Sequence, residues 1–167
     1  MLVYDHAEEL AEWLGSRLGI TFIQPYVTIG VVRGWDLVAV VLYNQFEPPN
    51  IHVTFATTTP RWASRQVIGR LLAYPFHELG CLRISAITRV TNQPTRVFLR
   101  RLGFRQEGFH PQYYADDDGV SYGLLKSDAM KWIEDSNEQR WRINSASGGP
   151  VSGGERPVPE QHPDGFD

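Results

Sequence analysis

The sequence predicts one mixed α/β domain, with its elements in the order α-βββ-α-β-α-ββ. Three observations carry that order. Between residues 26 and 57, strand-like runs are separated by Gly34-Trp35-Asp36 and by the loop Gln45-Phe-Glu-Pro-Pro-Asn50, the mark of an antiparallel meander. Two later segments carry apolar residues at helical spacing and alternate with strand-like runs. The last of these runs are split by Asp116-Asp-Asp-Gly119, a turn composition.

Residues 5–18 read as a helix. Asp5 is the expected N-cap, Ala7, Leu10, Ala11, Leu14 and Leu18 form an apolar stripe, and Gly19 ends it. The meander follows as 26–33, 37–43 and 51–57. Residues 62–79 are helical by the spacing of Val67, Ile68, Leu71, Leu72 and Phe76. Pro75 inside that segment removes one backbone hydrogen bond and should kink its last turn. Then come a strand at 82–88, a short helix, strands at 104–114 and 120–125, and a helix from 127 to about 141. Residues 144–167 are rich in Gly, Pro, Ser and charge and have little to bury. The expected organisation is a folded domain over 1–143 and a flexible tail over 144–167.

A chain of 167 residues with 42% hydrophobic content can bury a real core. The net charge of −3 gives no case for nucleic acid as a partner. Of the 16 basic residues only Lys126 and Lys131 are lysine; the rest are arginine. Arginine suits fixed contacts to phosphate or carboxylate, although compositional bias accounts for the excess equally well. Cys81 is the single cysteine, which excludes an intrachain disulfide and a cysteine-based zinc cluster. It lies in an apolar run and reads as a buried small hydrophobe. No metal is expected. The longest strongly apolar stretch, 37–43, is strand-sized, so a cytoplasmic protein without a membrane span is expected.

The most informative segment is Asn92-Gln-Pro-Thr-Arg-Val-Phe-Leu-Arg-Arg-Leu-Gly-Phe104, closing in Arg105-Gln-Glu-Gly108. Pro94 suits the first turn of a helix. Val97, Leu99 and Leu102 supply an apolar side, and Gly103 ends the helix before Phe104 begins a strand. The pattern Asn-x-x-(Ser/Thr)-Arg-x(6)-Gly-Phe-x-x-Glu-Gly resembles the second half of a GNAT N-acetyltransferase domain. The resemblance is nearest to the branch that acetylates ribosomal-protein N-termini and to small phage- and prophage-encoded members. The closing strand Tyr122-Gly-Leu-Leu-Lys-Ser127 is similar to the family's as well. The likeness covers roughly residues 27–133. It implies a mixed sheet of about six to seven strands, splayed in the middle, with acetyl-CoA inserted in the split. The family begins with a strand and two helices over the acceptor; here there is space for one clear helix, which implies a shortened lid or one completed by a second subunit.

The resemblance also implies a site. The family's glycine-rich pyrophosphate loop falls on Thr59-Pro-Arg-Trp-Ala-Ser64, where Trp62 and Ser64 stand in place of glycines. A helix start is still an anion site, so Arg61, Ser64, Arg65 and Gln66 are the candidates for the pyrophosphate, and Trp62 is a candidate cofactor contact beside them. Phe55, Ala56 and Thr57 fall where the family's strand pairs with pantetheine. Asn92, Arg96, Phe98 and Leu99 belong to the helix along the cleft wall. Asn92 also suits the cap of that helix, and the two roles are compatible.

His52 is the titratable residue on the strand from which the family takes its base, and imidazole accepts protons near neutrality. It is the candidate base; a half-exposed strand histidine is the plain alternative. Asn44 and Tyr43 are candidates to orient the acceptor. The position of the family's acidic tyrosine holds Leu99, which donates no proton. The resemblance therefore implies an acetyl-CoA-dependent N-acetyltransferase acting on a primary amine: a protein N-terminus, a lysine or a small amine. The missing glycines and tyrosine fit a second outcome, a catalytically degenerate binding protein of the same fold. A homodimer is a further expectation.

Overall fold

The computed structural model describes residues 1–134, so the expected tail and the stretch of last helix beyond 134 lie outside the described residues. The chain forms β1 (Leu2–Val3), α1 (Ala7–Leu18), β2 (Tyr26–Arg33), β3 (Asp36–Glu47), β4 (Asn50–Thr57), α2 (Arg65–Ala73), β5 (Arg83–Arg89), α3 (Gln93–Leu102), β6 (Arg105–Tyr114) and β7 (Asp117–Leu125). A last helix, α4, occupies 126–134. The strands make one sheet in the order β1-β2-β3-β4-β5-β7-β6. Every neighbouring pair is antiparallel except β4 with β5.

That exception shapes the molecule. β4 and β5 pair only at Asn50↔Arg83, Ile51↔Ile84 and His52↔Ser85. Beyond His52, β4 runs on to Thr57 and β5 to Arg89 with no pairing between them. The sheet is closed at its base and open above, as the family resemblance implies.

Alternation of side chains gives the sheet two different faces. On one, Val41, Tyr43, Ile51, Ile84, Tyr122 and Leu124 pack with α2, α3 and α4 into the main core. On the other, Val40 and Leu42 pack with Leu10, Ala11 and Leu14 of α1. α1 crosses β2, β3 and β4, so among the described residues no helix covers the α1 face of β5, β7 and β6.

Several local expectations need correction. The cap position of α1 is His6, in a left-handed conformation (φ 67°) with no side-chain cap bond, rather than Asp5. The strand β1 was not predicted, because two residues carry no periodicity; it pairs Leu2 with Val31 and Val3 with Gly30. The single helix expected before the meander is α1, and a second lid helix has no counterpart among the described residues, as expected. On α3 the buried residues are Leu99 and Leu102, while Val97 points outward. The β6–β7 turn falls at Ala115-Asp116, and Asp117 already pairs with Tyr114.

Pro75 does more than kink its helix. After Ala73 the backbone widens into a π-helical turn over Tyr74–Glu78, closed by the Leu79 N–H to the Tyr74 carbonyl at 3.1 Å. Proline has no N–H to offer the carbonyl four residues back, which is that of Leu71. A buried carbonyl needs a donor. The Tyr43 hydroxyl supplies it from across the core, at 3.0 Å.

Candidate active site

The split places two kinds of surface against each other. Along Val53–Thr57 the β5-facing edge of β4 has no strand partner, so its backbone groups can pair with an extended ligand in the manner of an added strand. The helix-side wall of the opening is aromatic. Phe55 of β4, Trp62 of the β4–α2 loop and Phe98 of α3 meet with ring centroids 5.5–5.9 Å apart. Behind them lies a cavity of about 40 Å³, lined almost wholly by carbon, including Val53, Leu71 and Leu99.

α2 begins beside this wall because Ser64 caps it, its Oγ accepting the Val67 N–H at 3.3 Å. Arg61 is exposed before the helix start, and Arg65 opens the helix with its guanidinium 5.0 Å from the Trp132 ring. With Gln66, these residues put a positive helix end and two arginines next in the chain to Trp62 of that wall. Trp62 does not belong with them. It is only 4% exposed, packed in the core rather than presented to a phosphate.

Asn92 caps α3, its Oδ1 accepting the Thr95 N–H at 3.3 Å. Arg96 is turned away from the split. Its guanidinium donates to the Tyr122 hydroxyl (3.0 Å), the Val90 carbonyl (2.8 Å) and Gln106 Oε1 (3.5 Å). It ties α3 to β7 and β6, not to the cleft wall where the resemblance put it. Leu99 is buried beside the cavity. Ala56 faces α1, and the Thr57 hydroxyl donates to the backbone at Val38 or Thr59.

The α1 face of the split is polar at its base. Tyr26, Asn44, His52 and Ser85 are successive Cα partners across β2, β3, β4 and β5, so their side chains share that face. His52 is half-buried. Burial holds its proton affinity below the ordinary 6.5; Glu47 works against this and Arg83 works with it. The shift favours the neutral imidazole, the form able to accept a proton. Tyr43 is adjacent to Asn44 and so points to the opposite face. It is 2% exposed, its hydroxyl is taken by Leu71, and burial pushes its phenol well above the ordinary 10. It orients no acceptor, which corrects the pairing with Asn44.

Two other sequence features are accounted for. The acids of the β6–β7 hairpin are engaged internally: Asp116 with Arg89, Asp117 with the Thr91 hydroxyl and Asp118 with the Gln112 N–H. Trp132 of α4 is tied to α3, its indole N–H donating to the Leu102 carbonyl at 2.8 Å. Glu107 was overlooked, although the Gly-Phe-x-x-Glu-Gly motif contains it. It forms an ion pair with Arg83 at 2.6 Å. No helix among the described residues is long and apolar enough to cross a membrane.

No protein-family model and no curated protein matches this chain. Solved structures do. A chimera of spermidine N-acetyltransferase SpeG from Vibrio cholerae and hSSAT is 16% identical, with a TM-score of 0.61 over 78% of this chain and 97% of its own. Mycobacterium smegmatis RimJ in complex with CoA-disulfide is 17% identical, with a TM-score of 0.53 over 74% of this chain and 63% of its own. The ribosomal-protein-S5-alanine acetyltransferase of Vibrio fischeri is 18% identical, with a TM-score of 0.52 over 62% of each chain. The chain spans less than two thirds of the length of several such relatives, 63% of a "Probable acetyltransferase" among them. At these identities the likeness establishes architecture: this chain has the fold of the GNAT acetyltransferases.

Proposed function

We propose that the chain is an acetyl-CoA-dependent N-acetyltransferase that acts on a primary amine by direct attack in a ternary complex. The observation that carries this reading is the split between β4 and β5, with an unpaired strand edge above and the half-buried His52 at its base. The edge suits the amides of a pantetheine arm. The α2 start with Arg61 and Arg65 suits a pyrophosphate. His52 takes a proton from the acceptor ammonium, the neutral amine attacks the thioester carbonyl, and as the C–S bond breaks the second proton leaves the nitrogen and passes through water to the departing thiolate. Holding the two reactants together supplies much of the acceleration. The neighbours include enzymes named for spermidine and for a ribosomal-protein alanine, and a small polyamine and a peptide with a free N-terminus are accordingly the first acceptors to assay.

A second reading, a binding protein of the same fold, is favoured by one feature. Trp62, where the family has a glycine, is buried against Phe55 and Phe98. Calorimetric titration with acetyl-CoA, and with CoA as the control, separates the two. The enzyme reading expects micromolar binding that weakens in Arg65→Ala and Asn92→Ala. Absence of binding would reject it and make the interaction-protein reading the leading one.

A further inference from the structure

The base of the split holds a polar cluster that the transfer chemistry above leaves unassigned. Arg83 of β5 is the Cα partner of Asn50. Its Nε donates to Asn50 Oδ1 at 3.2 Å, and its Nη2 donates to Ser85 Oγ at 3.2 Å and to Glu107 Oε2 at 2.6 Å. Ser85 in turn donates to Asn50 Oδ1 at 2.8 Å. Ser85 is the Cα partner of His52, and Asn50 lies two residues before His52 on the same face of β4.

The cluster links β4, β5 and β6 by passing over β7 at Gly123. A Cβ there would stand 2.7 Å from Arg83 Nη2 and 2.6 Å from Glu107 Cδ, closer than atoms approach. The missing side chain is what lets the ion pair lie flat on the sheet. A guanidinium whose donors meet three fixed oxygens has one orientation. The charged groups acting on His52 are Glu47 from the end of β3 and Arg83 from β5, with opposite signs. Glu107 on β6 balances part of the Arg83 charge.

We propose that Arg83 is a positioning residue for His52: held by Glu107, Asn50 and Ser85, it fixes a cation on the imidazole's face of the sheet at the base of the split, which adds to burial in presenting the ring to the acceptor as a proton acceptor. The proposal rests on the acetyl-transfer reading. A plain strand-to-strand ion pair would make the same hydrogen bonds, so the test must read the imidazole itself.

The experiment is an NMR titration of the histidine signals in the wild type, Arg83→Gln, Arg83→Lys and Glu107→Gln, with His52→Gln to assign the resonance. The His52 midpoint is expected to rise in Arg83→Gln, to stay near wild type in Arg83→Lys, and to fall in Glu107→Gln, where the cation loses its counter-charge. The acid limb of kcat/KM should move with it. Arg83→Gln then loses roughly three- to tenfold near about pH 6 and recovers towards about pH 8. A residue that only joins strands would lower the rate by one factor at every pH. An unchanged midpoint in both Arg83→Gln and Glu107→Gln overturns the proposal. Should Arg83→Gln fail to fold, Glu107→Gln decides alone: a lowered midpoint supports the coupling and an unchanged one overturns it. The titration needs no substrate, so a midpoint that moves in a chain without acetyl transfer would reject the proposed function and keep the coupling.

Discussion

Replacing His52 with glutamine is expected to lower acetyl transfer by roughly 10²- to 10⁴-fold, the usual contribution of a positioned general base. Glutamine keeps a polar side chain of similar reach on β4 but cannot take up a proton. His52 is half-buried and stands at the end of the β4–β5 pairing, on the α1 face where the opening begins. Binding of acetyl-CoA should stay unchanged, because the unpaired edge of β4 and the start of α2 are untouched. The wild-type kcat/KM should rise with pH through the imidazole titration, which lies below 6.5, and then level off. In His52→Gln that limb should vanish. A variant that retains its rate, or one that keeps the same limb, would remove His52 from the chemistry.

Trp62→Ala is expected to cost about 3–5 kcal/mol of folding stability, the range for deleting a large buried aromatic side chain. Trp62 is 4% exposed and holds together one residue from β4 and one from α3. Its removal joins a large void to the existing cavity and leaves Phe55 and Phe98 without their shared partner. Urea unfolding of the variant checks this. Trp62→Phe, which retains a ring, should lose much less. A loss below about 1 kcal/mol in Trp62→Ala would mean that the wall collapses inward and that Trp62 is dispensable to the core.

The parts of the fold that were legible in the sequence are those written in local chemistry. Asn92, Pro94 and Gly103 bound α3 as expected; Gly103 takes a left-handed φ of 108° and passes the chain to Phe104. Ser64 caps α2 for the same reason, because a cap reaches only a few residues along the chain. The meander was legible through its alternation and its turns. What escaped depends on contacts between distant segments. The direction of Arg96 is set by Val90, Gln106 and Tyr122, which lie on three other stretches of chain. Trp62 aligned with a phosphate loop, but the apolar faces of β4 and α3 drew it inward. Tyr43 and Asn44 looked alike as neighbours at a strand end, yet one pleat separates the core from the polar face. The network around Arg83 needs Gly123 beneath it, and nothing near Gly123 in sequence announces an ion pair from β5 and β6.

Tyr43 and Pro75 carry a message about descent. The hydroxyl is useful at position 43 while position 75 lacks an N–H, because the two meet at one carbonyl, that of Leu71. A lineage that exchanges Pro75 for an ordinary residue regains the helical bond and frees position 43 to become phenylalanine. A lineage that loses the tyrosine first takes that hydroxyl donor from the Leu71 carbonyl, a burden of about 0.5–1.5 kcal/mol. The order of change is therefore constrained, and positions 43 and 75 should be inherited as a pair, visible as covariation once relatives of this chain are aligned.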